Sequence, residues 1–369
     1  MKACVTGATG FIGGHVARAA VERGDEVSVT YRDKARLGRL GDLDVRPVRA
    51  DVLDRGAFRR ALKGADILFH SAGYVASRPV SRVFEVNVLG ARAAVEAAAA
   101  ADVGRVVLTS SVGGVGPVAG DGIGEEGDLY RSGALGLVYV DAKHEGEAEA
   151  LGAAARLGVE VVIVNPAYVL GVPVDPAHPG ETSTRTIAHY LRGRLPAVVD
   201  GATNIVDVLD VANGHMLAAE KGRPGERYIL GGHNIRWADF VDRIAELSGI
   251  SHPVAILPSE VAAVAGAARA AGLPAVFNPQ AFALMAQNWM YSSKKAERVL
   301  GYRARPLDET LRTTIDWCLG LIEHGAFGGR RLSTMSFASA GMRAGARVGL
   351  VQAMRVAEGR TGRRLVAGA

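Results

Sequence analysis

Tyr139 and Lys143 stand four residues apart in Y-V-D-A-K, a spacing that puts both side chains on one face of a helix. A phenol beside an ammonium is acid–base chemistry. The cation favours the phenolate and draws the tyrosine's pKa down toward working pH. The same ammonium can hold a ribose hydroxyl. Upstream, T-S-S puts Ser110 and Ser111 where a hydroxyl could donate to a substrate oxygen. Ser111, further past the apolar run, is the better placed; for either serine alone the alternative is a turn-capping hydroxyl. Near the amino end, T-G-A-T-G-F-I-G spaces Gly7, Gly10 and Gly13 three apart. Residues without Cβ permit a tight turn and the close approach of a pyrophosphate. A helix beginning there adds free N–H groups and a positive dipole end.

These groups act together only if the fold gathers them. Short β-branched runs at Ala3–Thr6, Glu26–Thr30, Val45–Arg49, Ile67–His70, Arg105–Ser110 and Glu160–Val164 read as strands. Between them, Ile12–Arg23, Arg55–Leu62, Val80–Ala101 and Val140–Leu157 have helical spacing. Continuous apolar strands separated by helices predict an α/β fold, a doubly wound parallel sheet. Such a sheet brings the glycine turn, the serines and the Tyr–Lys pair together at its carboxyl edge. After Pro166 the alternation fades into a stretch richer in Pro, Gly and polar groups. A late strand at Arg227–Leu230 and helices at Trp237–Leu247 and Leu307–Ile322 complete the reading. The expected organisation is a dinucleotide-binding domain over 1–166, taking back a strand near 226–231, with an interleaved substrate lobe over 167–225 and 232–328. A basic extension follows over 329–369, with weak helical character around Met342–Ala357 and the aspect of a solvated, disordered appendage.

The end of the second strand speaks to the nucleotide. An acidic residue there would bind the adenosine ribose hydroxyls. Here Tyr31 takes that place and Arg32 follows, and a guanidinium can pair a 2′-phosphate bidentately. The reading favours NADP, with NAD left open by Asp33. Asp51, closing the third strand, could accept from an adenine amine or cap the helix starting at Arg55.

Composition bounds the rest. With 369 residues, 49% hydrophobic and 22% charged, the chain is globular rather than fibrous or disordered. Its net charge of +5 is uneven: residues 331–369 hold seven Arg and one Glu, leaving the body at −1. A nucleic-acid-binding body is therefore not expected. Arg343 and Arg347, four apart, leave an anionic-surface helix in the tail as the less favoured option. Cys4 and Cys318 cannot make a disulfide framework. His15, His70, His144 and His215 lack metal-ligand spacing, so no metal is expected. No leader is read at the amino end, and the most apolar stretch, 254–276, is broken by Glu260, Arg269, Pro258 and Pro274, so a cytoplasmic location is the default.

Taken together, T-G-A-T-G-F-I-G, the Ser pair, Y-V-D-A-K and N-P-A-Y-V-L-G resemble the extended short-chain dehydrogenases/reductases. Within them the chain is similar to the dihydroflavonol-4-reductase-like and hopanoid-associated sugar-epimerase-like groups, over about residues 1–325. The resemblance implies Ser111, Tyr139 and Lys143 as the catalytic set. It implies cofactor contacts from Gly7, Gly10, Phe11, Ile12, Gly13, Asp51, Val52, Ala72, Gly73 and Pro166, besides Tyr139 and Lys143. Asn87 resembles the family's buried asparagine, with a satisfied core amide as the equal alternative. A homodimer is a family expectation. Nucleotide-sugar members use arginines that correspond here to Thr203 and to the stretch Phe277–Ser293, which holds no Lys or Arg. A diphosphate without a cationic partner loses much of its binding, whereas an apolar, aromatic lining suits a hydrophobic carbonyl compound. The expectation is an NADP-dependent ketone or aldehyde reductase. A sugar epimerase or dehydratase on NAD and a non-catalytic NAD(P)-sensing protein are the alternatives.

Overall fold

Seven strands, apolar except for the exposed edge strand Arg46–Arg49, align in one sheet, and helices cover both of its faces. The computed structural model describes residues 1–179, 182–260, 279–327 and 334–369. In the first half, β1 (Lys2–Thr6), α1 (Phe11–Glu22), β2 (Glu26–Tyr31), β3 (Arg46–Arg49), α2 (Arg55–Ala61) and β4 (Ile67–His70) follow in order. Next come α3 (Val80–Phe84), α4 (Gly90–Ala100), β5 (Arg105–Thr109), α5 (Val112–Val115), α6 (Val138–Leu157) and β6 (Glu160–Pro166). The second half holds β7 (Tyr168–Leu170), α7 (Thr182–Leu191), β8 (Ala197–Val199), β9 (Ala202–Asp207), α8 (Val208–Lys221), β10 (Arg227–Leu230), β11 (His233–Arg236) and α9 (Trp237–Ser248). It continues through β12 (Val254–Leu257), α10 (Pro279–Met285), α11 (Lys294–Leu300) and α12 (Leu307–Glu323) to α13 (Thr334–Arg347), α14 (Leu350–Thr361) and β13 (Val366–Ala367).

The large sheet runs β3-β2-β1-β4-β5-β6-β10, with every neighbouring pair parallel. This is the doubly wound fold expected from the pattern, and the late strand β10 joins its edge. Alternation explains why the inner strands are apolar. Ala3 and Val5 of β1 pack with Val16, Ala17 and Ala20 of α1 and Val211 and Ala212 of α8. Cys4, between them, faces Phe58, Ala94, Ala98, Ala150 and Ala153 from α2, α4 and α6. A third core sits between α7, α9, α12 and the three-stranded sheet β11-β9-β7.

Three expectations need correction. The helix read over Val80–Ala101 is interrupted by a π-turn at Glu85–Leu89. The Asn87 amide donates to Val83 O (2.9 Å) and Tyr74 O (3.0 Å) and accepts from Tyr74 N (3.2 Å). That tertiary bonding holds the extra residue per turn, which hydrophobic spacing does not record. The basic tail is not a solvated appendage. β13 pairs antiparallel with β12, completing a β13-β12-β8 sheet. Arg364 pairs with Asp239 (2.7 Å) and with Asp242, and Glu358 Oε1 accepts from Leu365 N (2.6 Å) and Val366 N (3.0 Å). The open edge of β12 recruits a short apolar L-V-A run whose only signal was three residues long. Third, Asp51 does not cap α2; Asp54 does, accepting from Ala57 N at 2.9 Å.

Of the apolar stretch 254–276, only residues through 260 are described. Among the described residues no helix is long and apolar enough to cross a membrane.

Candidate active site

The strand order reverses between β1 and β4, and a crevice opens there at the carboxyl ends of the strands. The β1–α1 turn lies in it. Gly7 has φ +70°, and a Cβ on it would stand 2.6 Å from the backbone of Ser71 and Ala72. A Cβ on Gly13 would stand 2.3 Å from Gly7 O, so the helix can begin against the turn only without one. Gly10 closes the turn through Gly10 N to Gly7 O (2.9 Å) and caps α1 with no side-chain bond, and no acidic residue follows in the first turn. Phe11 and Ile12 open that helix, half-buried. The N–H groups of this turn are thus left for an anion. Opposite, Thr6 Oγ1 accepts from Ala72 N (3.2 Å) and bonds His70 Nδ1 (2.9 Å), fixing the Ala72–Gly73 turn across the crevice. A shallow cleft beside this turn is lined by Thr9, Gly10, Phe11, Pro173, Val174 and Asp175.

At the far end of this crevice, Tyr31 closes β2 and Arg32 is exposed, its guanidinium 3.9 Å from Asp51 Oδ2. Arg82 approaches the same carboxylate at 4.0 Å, while Asp51 Oδ1 accepts from Leu53 N (3.0 Å). Val52 is buried beneath them. Asp33 is occupied in capping the next turn through Ala35 N (3.0 Å).

The acid–base group forms where β5 ends and α6 begins. Ser111 caps α5, its hydroxyl accepting from Gly113 N at 3.1 Å, and the same hydroxyl lies close enough to the Tyr139 phenol to lower its pKa. Ser110 points the other way, donating to Glu147 Oε1 at 2.5 Å. The two adjacent serines therefore do different work, and only Ser111 meets the phenol. Lys143 is buried, donates to Thr109 O (3.0 Å), and lies 6.0 Å from the centre of the Tyr139 ring. Gly73 faces it: a Cβ there would stand 3.5 Å from Lys143 Nζ. Pro166 is the buried carboxyl-terminal residue of β6.

One electrostatic expectation is overturned. Tyr139 is pushed up to about 12, because burial outweighs the lowering by Ser111. Lys143 does not reach the phenol oxygen as its hydrogen-bond partner here; it is lowered to about 8 by desolvation, which the Glu147 charge partly opposes. Spacing along a helix put the two on one face but did not reveal how dry the face is.

The structure also adds residues that the sequence reading missed. Glu147, a further four residues along α6, accepts from Asn165 Nδ2 (2.6 Å) and pairs with Arg227 of β10 (3.2 Å). Asn165 also donates to Ser111 O (2.8 Å). Thr109 Oγ1 bonds Ser71 Oγ (2.8 Å) and the buried His215 Nε2 (2.8 Å). The regular spacing Tyr139, Lys143, Glu147 was the available signal; the partners on β6, β10 and α8 had none.

On the substrate side, the loop after α5 bonds the segment after α10 through Val118 N to Asn288 O (2.9 Å) and Gly124 N to Met290 O (2.8 Å). Trp289 and Tyr291, which by composition could line a pocket or fill the lobe core, are buried with Val112, Val115 and Leu137 as core beside the half-buried Tyr139. Thr203 is buried on β9. Phe277 and Asn278 lie outside the described residues.

A reversed parallel sheet with a phosphate cradle beside a Ser–Tyr–Lys cluster defines a dinucleotide-binding oxidoreductase. Residues 3–231 match the model of the NAD dependent epimerase/dehydratase family, and the chain belongs to that family, as an extended short-chain dehydrogenase/reductase. It is 32% identical to a putative dihydroflavonol 4-reductase of Synechocystis over 331 residues, 85% of this chain and 93% of that one. It is 36% identical to sterol demethylase protein B of Methylococcus capsulatus over 262 residues, 70% of this chain and 78% of that one. Among solved structures, that of gox2253 is similar with a TM-score of 0.76 and 31% identity, covering 88% of this chain and 99% of that one. The chain is an enzyme of a superfamily that acts on alcohol and carbonyl groups with a nicotinamide cofactor.

Proposed function

We propose that this enzyme is an NADP-dependent reductase of a ketone or aldehyde borne on a hydrophobic small molecule. One observation carries the reading: Ser111, Tyr139 and Lys143 converge on the crevice that the uncapped glycine turn also enters. The residues present fit a dinucleotide. The start of α1 would hold its pyrophosphate, and Gly73 leaves room beside Lys143 Nζ for a ribose. When bound, NADPH supplies the hydride. Tyr139 gives its phenolic proton to the carbonyl oxygen, Ser111 donates a hydrogen bond that holds that oxygen, and Lys143 places positive charge near the phenolate that results. A phenol held near 12 is protonated at neutral pH, which suits it to donate and so to reduction.

The substrate class is supported by what the second lobe lacks. Thr203 replaces a cation, and the described residues 279–291 contain none. The relative matched over 93% of its length is itself described as a putative reductase. Mass analysis of co-purified nucleotide and NADPH consumption across ketones and aldehydes test the reading. Net NADPH oxidation with at least one carbonyl is expected. A tightly held NAD with no net turnover would replace it by an epimerase or dehydratase.

The nucleotide preference rests on Arg32. Arg32→Ala is expected to weaken NADPH binding about tenfold, roughly the 1.4 kcal/mol of an exposed charge-assisted pair, while NADH binding stays within about threefold. Equal loss for both nucleotides in a binding titration would remove Arg32 from 2′-phosphate recognition.

A further inference from the structure

We propose that Glu147 is a positioning residue for the reaction: its buried carboxylate anchors the Ser111 backbone and supplies the counter-charge for Lys143. Glu147 is 5% exposed and lies one helical turn beyond Lys143, on the same face of α6. Its Oε1 accepts from Ser110 Oγ (2.5 Å) and Asn165 Nδ2 (2.6 Å), and its Oε2 pairs with Arg227 (3.2 Å). Asn165 uses the same amide nitrogen to hold Ser111 O at 2.8 Å. The carboxylate therefore grips the residue before Ser111 directly and Ser111 itself through one amide. Gly114 closes over it, since a Cβ there would stand 2.3 Å from Oε1. A buried charge held by three partners, Ser110 just after β5, Asn165 of β6 and Arg227 of β10, is costly unless all are met, and here they are.

Facing the Lys143 ammonium are Thr109 O from β5, the His70 ring from β4, Tyr139 on its own helix and Glu147. His70 is buried and neutral at working pH. Glu147 is thus the anion that opposes desolvation of the lysine. Arg227, its partner, is also engaged by Glu126 O (2.8 Å), and Lys295 beyond it pairs with Glu226 (2.5 Å). Removing the Glu147 charge takes away the anion that opposes desolvation of the ammonium, so Lys143 should lose its proton at lower pH.

Lys143 is one of only seven lysines, which makes its titration readable by NMR of lysine labelled at Cε, assigned by the resonance lost in Lys143→Arg. In Glu147→Gln the Lys143 midpoint is expected to fall by about half a pH unit or more. The catalytic consequence rests on the reductase reading: kcat falls about tenfold or more, KM for NADPH stays within about threefold, and the basic limb of the kcat profile moves down with the lysine. A pure stability defect is separated by Glu147→Met/Arg227→Met, which replaces the pair by apolar groups. Recovery of Tm in that variant with the lysine midpoint still displaced supports positioning. An unmoved midpoint in Glu147→Gln, or full return of kcat along with Tm in the double variant, overturns it. The NMR arm needs no substrate, so a failure of the proposed activity alone would leave it intact.

Discussion

Tyr139→Phe is expected to lower kcat for carbonyl reduction by about 10²–10⁴-fold, the range for loss of a positioned general acid. The ring stays, so its packing against Val140, Leu137 and the Trp289–Tyr291 core should be kept, with Tm little changed. What goes is the phenolic hydroxyl in the first turn of α6, the proton source in the proposed reaction. Nucleotide affinity should hold within about threefold, because the glycine turn proposed to hold the pyrophosphate belongs to α1, not to the helix that carries Tyr139. Adding Ser111→Ala to Tyr139→Phe should cost much less than the product of the two single losses, since the pair acts on one oxygen. Stopped-flow or steady-state NADPH oxidation measures all three. Wild-type kcat in Tyr139→Phe would end the assignment of Tyr139 as the acid.

The second large effect is on stability. His15, His70 and His215 are buried and held near 4, 3 and 4 by desolvation. Each therefore stays neutral in the fold, whereas in the unfolded chain it charges below its ordinary value of about 6.5. The unfolded state then binds more protons, and stability drops as pH falls from about 6.5 toward 4. At about pH 5 each imidazole costs roughly 2 kcal/mol, so the three together approach half or more of a typical domain's stability. Glu126 and Asp207, whose carboxyls burial pushes up, oppose part of this loss. Urea unfolding at about pH 7.5 and about pH 5 should show a large fall in midpoint. His215→Gln should lower stability at the higher pH, by losing its bond to Thr109, yet flatten the dependence. A midpoint that does not move between the two pH values would contradict the burial of these rings.

The sheet and its glycine turn were legible because short continuous apolar runs, helical spacing between them and glycines at fixed offsets are local signals. The same holds for Tyr139 and Lys143, which one helix places on one face. The π-turn at Asn87 was not legible, because its cause is Tyr74, thirteen residues away and across a turn. Nor was the tail's docking, where Val366 and Ala367 need the edge of β12 to become a strand. The aromatic run Trp289–Tyr291 shows the same limit from the other side. Its composition fits pocket or core equally, and only packing makes it core.

What the residues alone determined is which groups are available: a cofactor turn, a phenol, an ammonium and two neighbouring hydroxyls. Tertiary structure decided which of them meet and in what charge state. Ser110 and Ser111 are chemically identical, and the Glu147–Asn165–Arg227 cluster takes the first and leaves the second for Tyr139. Desolvation is a property of everything packed around a group, so the raised phenol and the lowered ammonium could arise only once distant strands and helices had closed over them.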